Sequence, residues 1–211
     1  MLLRAPALEA AGFAAAFPTR HAPDGELSAA LGAARIVQVK QVHGARAVLA
    51  AQADGQEGDA LVARSAGGVV AVGVRVADCV PVLVGSARTG DVAAIHAGWR
   101  GVVAGVVGEA VRLLEAGDRG ELVAAIGPCI GPCCFEVGRE VGAQLGFVVR
   151  EAGGKVFVDL RAAVRAQLAA LGVTRVEDVA GCTKHEPERF YSFRRDGPSS
   201  GRMLAAIAPR A

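Results

Sequence analysis

The feature that most constrains the fold is an apolar run, rich in valine, over residues 69–84. Valine and other β-branched side chains pack well on the pleated surface of a sheet, so the run predicts one or two buried strands. Arg75 and Asp78 interrupt the run, and each would be costly at the centre of a bilayer. The run is therefore not expected to span a membrane. Pro81 predicts a bend or bulge, with Cys79 just before it.

Shorter segments predict further strands. Residues 35–42 alternate between apolar and polar types, which predicts a half-buried strand that ends at His43-Gly44. Other segments are short, apolar and bounded by turn residues, as buried strands are. These segments are residues 59–63, 91–96, 122–126, 155–160, 176–180 and 202–207.

Helical periodicity occurs between these strands. Apolar residues at helical spacing over residues 102–114 predict a helix that ends before Gly117. A second amphipathic helix is predicted over residues 160–171, ending at Gly172, and a short helical stretch near residues 138–145. Because strands and helices alternate, the pattern favours an α/β or α+β layered domain. Without a low-complexity linker or a repeat of fixed period, residues 1–211 are expected to form one domain.

Composition excludes several classes of protein. With 52% hydrophobic and 21% charged residues, the chain can bury a sizeable core and is not expected to be disordered. The formal net charge of +2 excludes a strongly basic nucleic-acid binder and an acidic tail. Five cysteines, two of them adjacent, argue against a secreted disulfide framework, and the N-terminus lacks a clear signal region. A cytoplasmic location is expected.

Three residues are candidates for a metal site. His43, Cys79 and His96 each lie where a predicted strand runs into a turn, which is where α/β folds place their sites. If tertiary structure brings them together, two imidazoles and a thiolate suit Zn²⁺ and leave a fourth position for water or substrate. The alternative is that Cys79 is a small buried hydrophobe and the histidines are satisfied turn residues.

The segment GPCIGPCC, residues 127–134, invites a second metal interpretation. Its three cysteines, Cys129, Cys133 and Cys134, lack a paired C-x-x-C spacing, and adjacent cysteines rarely chelate one ion together. The segment therefore predicts a tight Gly/Pro turn in preference to a structural zinc site.

Near the C-terminus, Arg194, Arg195 and Arg202 lie among aromatic and serine residues. Planar guanidinium donors beside rings suit a phosphate or a base. The alternative is a solvated basic loop.

Several segments occur together in order along the chain. They are QVHG (41–44), GDALV (58–62), ADCVPVL (77–83), AAIHAGWRG (93–101), IGPCIGPCCFEVG (126–138) and CT…FYSFRRDG…GR (182–202). They cover the chain from about residue 38 to its end, and together they make a chance match improbable. The chain thus resembles the bacterial laccase-domain, or polyphenol-oxidase-like, family, which is related to the peptidoglycan-editing factor and regarded as purine nucleoside enzymes.

The resemblance implies an α/β fold, namely a single-domain, three-layer α/β/α sandwich with a mixed sheet. It also implies a zinc ion bound by the histidine of QVHG, the cysteine of ADC and the histidine of AIHAGWRG. In this sequence these are His43, Cys79 and His96, which would then also be the catalytic residues.

The implied activity is phosphorolysis of adenosine, inosine and methylthioadenosine, together with hydrolytic deamination of adenosine. Phosphorolysis needs positive charge to hold a phosphate, and Arg100, Arg194 and Arg195 are the candidates by residue type and position. The H-x-E and P-C-x-x-C signature of the zinc deaminases is absent, so the acid and base must differ from theirs. The expected partners are purine nucleosides and phosphate, with no nucleic acid and no membrane. Monomer and homodimer both remain open.

Two other activities use the same residues. Copper-dependent polyphenol oxidation is disfavoured because a multicopper centre needs more imidazoles than four histidines supply, although a single Cu²⁺ remains an alternative metal. A metal-free cysteine hydrolase would use Cys79 as nucleophile and His96 or His43 as base, on an amide such as a peptidoglycan stem peptide. A non-catalytic binding module is disfavoured by the clustering of Cys, His and Arg at predicted strand ends.

Overall fold

A computed structural model describes residues 1–67, 70–114 and 121–209. Its strands are β1 Leu2–Arg4, β2 Ala14–Pro18, β3 Ile36–Val37, β4 Ala47–Leu49, β5 Ala60–Ala63, β6 Ala71–Val76, β7 Val80–Ser86, β8 Val92–Ala97, β9 Leu122–Ile126, β10 Glu136–Val137, β11 Val148–Ala152, β12 Lys155–Val158, β13 Arg175–Asp178 and β14 Met203–Ala208. Its helices are α1 Pro6–Ala10, α2 Asp24–Leu31, α3 Trp99–Ala104, α4 Val106–Leu114, α5 Arg139–Leu145, α6 Leu160–Ala170 and α7 Phe193–Asp196.

Two mixed sheets carry most of the described strands. The first has five strands in the order β1-β2-β14-β6-β3, with a parallel β3–β6 pair in an otherwise antiparallel sheet. The second has six strands in the order β13-β9-β7-β8-β5-β4, and its outer pairs at both edges are parallel. A small antiparallel sheet, β10-β12-β11, lies apart from these two.

The two large sheets pack face to face, with helices on their outer faces. Side chains from both sheets, such as Val74 and Leu83, share one buried cluster. The opposite face of the six-stranded sheet packs on α4 and α6, and the opposite face of the five-stranded sheet packs on Leu27 and Leu31 of α2. The α/β class is therefore confirmed. The central part of the sandwich consists of two mixed sheets packed on each other, and the helices cover their outer faces.

The valine-rich run folds as two strands, β6 and β7, and the described part of it confirms the prediction. Val69 lies outside the described residues. The bend is not at Pro81, which lies inside β7 opposite His96. The chain instead turns over residues 77–79, where Asp78 adopts a φ of 95°. Pro81 is tolerated because β7 begins to pair with β9 only at Val82, so the missing proline N–H breaks no bond to that strand.

Two other predictions need correction. The strand expected over residues 35–42 is limited to Ile36–Val37, which pairs with β6. Further along the segment, Lys40 forms an isolated bridge with Glu57 that does not extend into a strand. The helix expected over residues 102–114 is two helices, because Gly105 ends α3 in the left-handed conformation at a φ of 86°. Gly117, its predicted end, lies outside the described residues. The described helices include none that is long and apolar enough to cross a bilayer.

Candidate metal centre

The position of His43 is set by a buried carboxylate. Asp59 immediately precedes β5 and is fully buried. Its carboxylate accepts hydrogen bonds from the backbone N–H groups of His43 at 2.9 Å, Gly44 at 2.7 Å and Val42 at 3.3 Å. The loop therefore wraps around one anion, and His43 takes a φ of 61° that non-glycine residues seldom adopt.

Cys79 lies in the bend that connects the two large sheets. The preceding residue, Asp78, accepts hydrogen bonds from the Thr183 hydroxyl at 2.6 Å and from the Arg194 N–H at 2.7 Å. Its carbonyl accepts from the Ile130 N–H at 2.9 Å. Because these bonds come from distant segments, tertiary structure holds the left-handed Asp78 and with it the direction of Cys79.

His96 belongs to the centre of the six-stranded sheet. It lies on β8 with only 3% of its side chain exposed, and its Nδ1 is 2.8 Å from Oδ1 of Asp59. Since Nδ1 is engaged by the carboxylate, Nε2 is the ring nitrogen that remains as a ligand. A carboxylate in this position fixes the tautomer and orientation of an imidazole, as it does around protein metal sites.

The structure brings the three predicted residues together. The ligand atoms of His43, Cys79 and His96 all lie within 4.8 Å of one another. The two imidazole rings meet edge to face, with centroids 4.8 Å apart and an angle of 83° between their planes. Two nitrogens and one sulfur fit the donor set of a zinc or copper ion, and three donors leave one position of a four-coordinate ion to another ligand.

The same contacts change the acidity of the cluster. Burial raises the pKa of the Cys79 thiol, but the hydrogen bonds to His43 and His96 lower it by more. The net result is a pKa of about 7, below the ordinary value for cysteine. Burial lowers the pKa of His96, and its bonds to Asp59 and Cys79 raise it to about 9. Without a cation, the pair therefore favours a thiolate beside an imidazolium.

Two glycines let the start of α3 close over the cluster. A Cβ atom on Gly98 would lie 3.1 Å from the sulfur of Cys79 and 3.3 Å from Cδ2 of His43. A Cβ atom on Gly101 would lie 2.7 Å from the carbonyl oxygen of Gly44. A side chain at Gly101 would thus collide with the backbone, and one at Gly98 would force Cys79 and His43 to shift.

The three arginines predicted to hold phosphate differ in how many hydrogen bonds their guanidinium groups already donate within the protein. The Arg100 side chain is exposed and stacks on the Trp99 ring at 4.3 Å. Arg194 donates one hydrogen bond from its guanidinium, to the Glu136 carbonyl at 2.7 Å. Arg195 instead directs its guanidinium into its own segment. Its partners are the carbonyls of Thr183, Lys184 and Phe190 and both carboxylate oxygens of Asp196.

Asp59 is the functional residue that the sequence reasoning missed. The segment GDALV, which opens a buried strand with a carboxylate, held the available signal. An aspartate at the start of a fully buried strand needs several donors, and here they are His96 and the loop of His43.

These observations define an α/β protein with a Cys/His cluster where its two large sheets meet, in which His43 is exposed, Cys79 is partly buried and His96 is buried. Residues 24–210 match the family described as multi-copper polyphenol oxidoreductase laccase, and the chain belongs to that family. This confirms the resemblance drawn from the motifs.

Named relatives connect the family with nucleosides. The chain is 42% identical over 192 residues to a purine nucleoside phosphorylase of Deinococcus radiodurans, an alignment covering 86% of this chain and 74% of the relative. It is 43% identical over 164 residues to the adenosine deaminase RL5 of an unknown prokaryotic organism, covering 71% of this chain and 61% of that relative. These relatives of the chain are therefore named for the processing of nucleosides.

Solved structures share the whole fold. The YlmD protein of Geobacillus stearothermophilus is 30% identical and superposes with a TM-score of 0.87, covering 100% of this chain and 96% of that one. A Neisseria meningitidis protein is 28% identical with a TM-score of 0.86, covering 100% and 99% of the two chains.

Proposed function

We propose that this chain is a zinc-dependent purine nucleoside phosphorylase that acts on adenosine, inosine and methylthioadenosine and also deaminates adenosine. The observation that carries the proposal is the cluster of His43, Cys79 and His96, with His96 oriented by the buried Asp59. The names of the relatives supply the nucleoside class.

The cluster offers three ligands to a metal and leaves a coordination position open. Bound zinc supplies Lewis acidity, which polarises an oxygen of substrate or water. The protein contributes the geometry: Asp59 holds both the His96 ring and the loop of His43, and the bonds to Asp78 fix the bend that presents Cys79. Ligands held in this way need little reorganisation when the metal binds.

Phosphorolysis breaks the bond between the purine nitrogen and the anomeric carbon and forms a bond from that carbon to a phosphate oxygen. The phosphate must therefore lie beside the sugar, and guanidinium groups hold it well. Arg100, the second residue of α3, and Arg194, whose backbone N–H donates to Asp78, are the better placed candidates. Arg195 suits this task less well, because its donors already hold the segment of Thr183 and Lys184.

A second function, metal-free hydrolysis by a cysteine nucleophile, is favoured by one observation. Cys79 is hydrogen-bonded to two imidazoles, and its pKa of about 7 makes the thiolate accessible at neutral pH. The same observation suits a metal ligand, since a thiolate is also the form that binds zinc.

Product chromatography distinguishes the two functions. Zinc-loaded protein is incubated with adenosine, with and without phosphate, and a copper-loaded sample is run in parallel. The phosphorylase predicts adenine and ribose 1-phosphate only when phosphate is present, and the deaminase activity predicts inosine in both samples. Absence of turnover under both conditions would contradict the proposal and favour the hydrolase. If the copper-loaded sample alone is active, copper and not zinc is the metal that the activity requires.

A further inference from the structure

A second group of metal-binding side chains lies outside the cluster already described. Cys133 and Cys134 end the GPCIGPCC turn, and Cys182 and His185 lie in the segment that follows β13. Cys133 and Cys182 are 49 residues apart in sequence. Even so, the sulfur and nitrogen atoms of all four residues lie within 4.8 Å of one another.

The three distances from the sulfur of Cys133 to the other ligand atoms match those around a tetrahedral zinc ion. Zinc bonded to sulfur at about 2.3 Å and to nitrogen at about 2.0 Å places two sulfurs about 3.8 Å apart, and a sulfur and a nitrogen about 3.5 Å apart. Here the sulfur of Cys133 is 3.6 Å from that of Cys134 and 3.8 Å from that of Cys182. It is 3.3 Å from Nδ1 of His185.

Backbone contacts hold the two segments in this register. The Thr183 N–H donates to the Cys129 carbonyl at 3.0 Å, within a parallel bridge between Cys129 and Cys182. The Gly131 N–H donates to the sulfur of Cys182 at 3.2 Å. A Cβ atom on Gly131 would lie 3.3 Å from the sulfurs of both Cys133 and Cys182, so a side chain there would crowd the group.

The segment that carries Cys182 and His185 is braced from its other side. The Cys182 N–H donates to Oε1 of Glu186 at 2.7 Å, and Arg195 donates to the carbonyls of Thr183 and Lys184 at 2.9 and 3.3 Å. These contacts hold the backbone that carries Cys182 and His185 before any ion arrives, which favours metal binding.

We propose that Cys133, Cys134, Cys182 and His185 form a second metal centre, a closed four-ligand structural zinc site. Four protein ligands leave no position for water or substrate, which is the mark of a structural site as opposed to a catalytic one. Binding releases the three thiol protons to solvent, and three thiolates, a neutral imidazole and Zn²⁺ give the centre a net charge of −1.

The turn residues alone predict no zinc site, because Cys129, Cys133 and Cys134 lack a paired C-x-x-C spacing. In the structure, Cys129 is not a member of the cluster. The missing partners come from the C-x-x-H spacing of Cys182 and His185, which no local pattern connects with the turn.

The second centre would support the first through one short connection. Thr183 follows Cys182 and donates its hydroxyl to Asp78, which precedes Cys79. A zinc ion that fixes Cys182 would therefore also fix the bend that presents Cys79. The same segment leads on to Arg194, whose N–H reaches the second oxygen of the Asp78 carboxylate.

Zinc stoichiometry of the purified full-length chain, measured by elemental analysis, tests the proposal. The wild type is expected to hold two zinc ions per chain, and Cys79→Ala one. Cys182→Ala is expected to lose one ion, and the double variant Cys79→Ala/Cys182→Ala both. Cys129→Ala is the matched control, because it removes a neighbouring buried cysteine outside the cluster and should retain two ions.

The design remains decisive if Cys182→Ala fails to fold. His185→Ala alters an exposed ligand and should reduce the zinc content by one in a folded protein. Cobalt substitution of Cys79→Ala adds a second readout, since three thiolates around Co²⁺ give intense sulfur-to-metal absorption. If the first centre binds no zinc, one ion that survives Cys79→Ala and disappears in His185→Ala still supports the proposal.

Three results would overturn it. One is a zinc content in Cys79→Ala of zero. Another is a zinc content that His185→Ala and Cys182→Ala leave unchanged. The third is a disulfide between Cys133 and Cys182, found by mass spectrometry of protein purified without reductant.

Discussion

At the scale of single residues, Asp59 organises more of the first centre than any of its ligands. One fully buried carboxylate accepts three backbone N–H groups and also engages His96. These bonds hold the pKa of Asp59 below its usual range, although burial alone would raise it. An ionised Asp59 thus couples the position of one metal ligand to that of another.

Asp59→Asn is predicted to weaken zinc binding at the first centre by roughly 10- to 100-fold, the range typical for loss of a carboxylate behind a histidine ligand. The asparagine amide keeps the size of the side chain but removes the charge and one acceptor. Competition with a chromophoric chelator measures the affinity. Asp54→Asn, at an exposed position nearby in sequence, is the control and should bind zinc as the wild type does. An affinity of Asp59→Asn within twofold of wild type would refute this role.

The acidity of Cys79 gives a second prediction at this scale. In metal-free protein, the rate at which iodoacetamide alkylates Cys79 should rise with pH, because the thiolate is the reactive form. The rate should reach half its maximum at a pH of about 7. Added zinc should protect the residue. Cys133 is an internal control, since burial raises the pKa of its thiol and its alkylation should need a higher pH. Peptide mass spectrometry follows each site, and a half-maximal pH near 9 at Cys79 would count against the cluster.

The sequence singled out His43, Cys79 and His96 because histidines are few and all three precede or follow predicted strands. It did not single out Asp59, because carboxylates are common and only burial shows that this one is special. The second cluster was hidden for another reason. Its halves are 49 residues apart, and only the pairing of the Cys129 and Cys182 segments brings them together.

At the scale of secondary structure elements, the turn between β8 and α3 decides how closely the helix approaches the first centre. Gly98 caps α3 with extended backbone at a φ of −71°, which any residue can adopt, so a side chain there is limited by space and not by conformation. A substitution there therefore tests close packing alone.

Gly98→Ala is predicted to weaken zinc binding by about tenfold, because the new Cβ must push against the sulfur of Cys79 and the His43 ring. The same chelator competition measures the effect. Gly25→Ala serves as the control: it adds a methyl group in α2 where nothing lies within 4 Å, and should slightly stabilise the helix. Equal zinc affinity in both variants would show that the turn tolerates a side chain.

Elements with a strong hydrophobic pattern were predicted well, and those set by tertiary contacts were not. The valine-rich run gave β6 and β7, and the apolar stripe of α6 matched its prediction over most of its length. The short helices and strands before residue 32 carry weak patterns and were not anticipated. The bend over residues 77–79 was misplaced because hydrogen bonds from Thr183 and Arg194, far away in sequence, create it.

At the scale of the whole molecule, the packing of the two large sheets sets the architecture. Gly85 of β7 faces Phe13, which packs in the core between the sheets, and a Cβ atom on Gly85 would overlap the Phe13 ring. Gly85→Ala should therefore lower the free energy of unfolding by about 1–3 kcal/mol, the usual cost of overpacking a core. Urea denaturation measures it, again with Gly25→Ala as control. A variant as stable as wild type would show that this interface is looser than described.

The same packing explains where the first centre lies. His43 follows the edge of the five-stranded sheet, Cys79 is in the connection from that sheet to the six-stranded one, and His96 belongs to the latter. The three ligands therefore meet only when both sheets are formed and packed. Metal binding at this junction should stabilise the folded chain as a whole, since the unfolded chain has no such site.

The rate of ribose 1-phosphate formation from adenosine and phosphate, measured against added zinc, tests the central claim most directly. Metal-free wild type should gain activity in proportion to zinc bound at His43, Cys79 and His96. The rate of Cys79→Ala should be at least about 100-fold lower than that of the wild type at every zinc concentration, because the loss of one ligand disrupts the centre. A Cys79→Ala protein that retains wild-type turnover, or a wild type whose turnover is independent of zinc, would contradict the account.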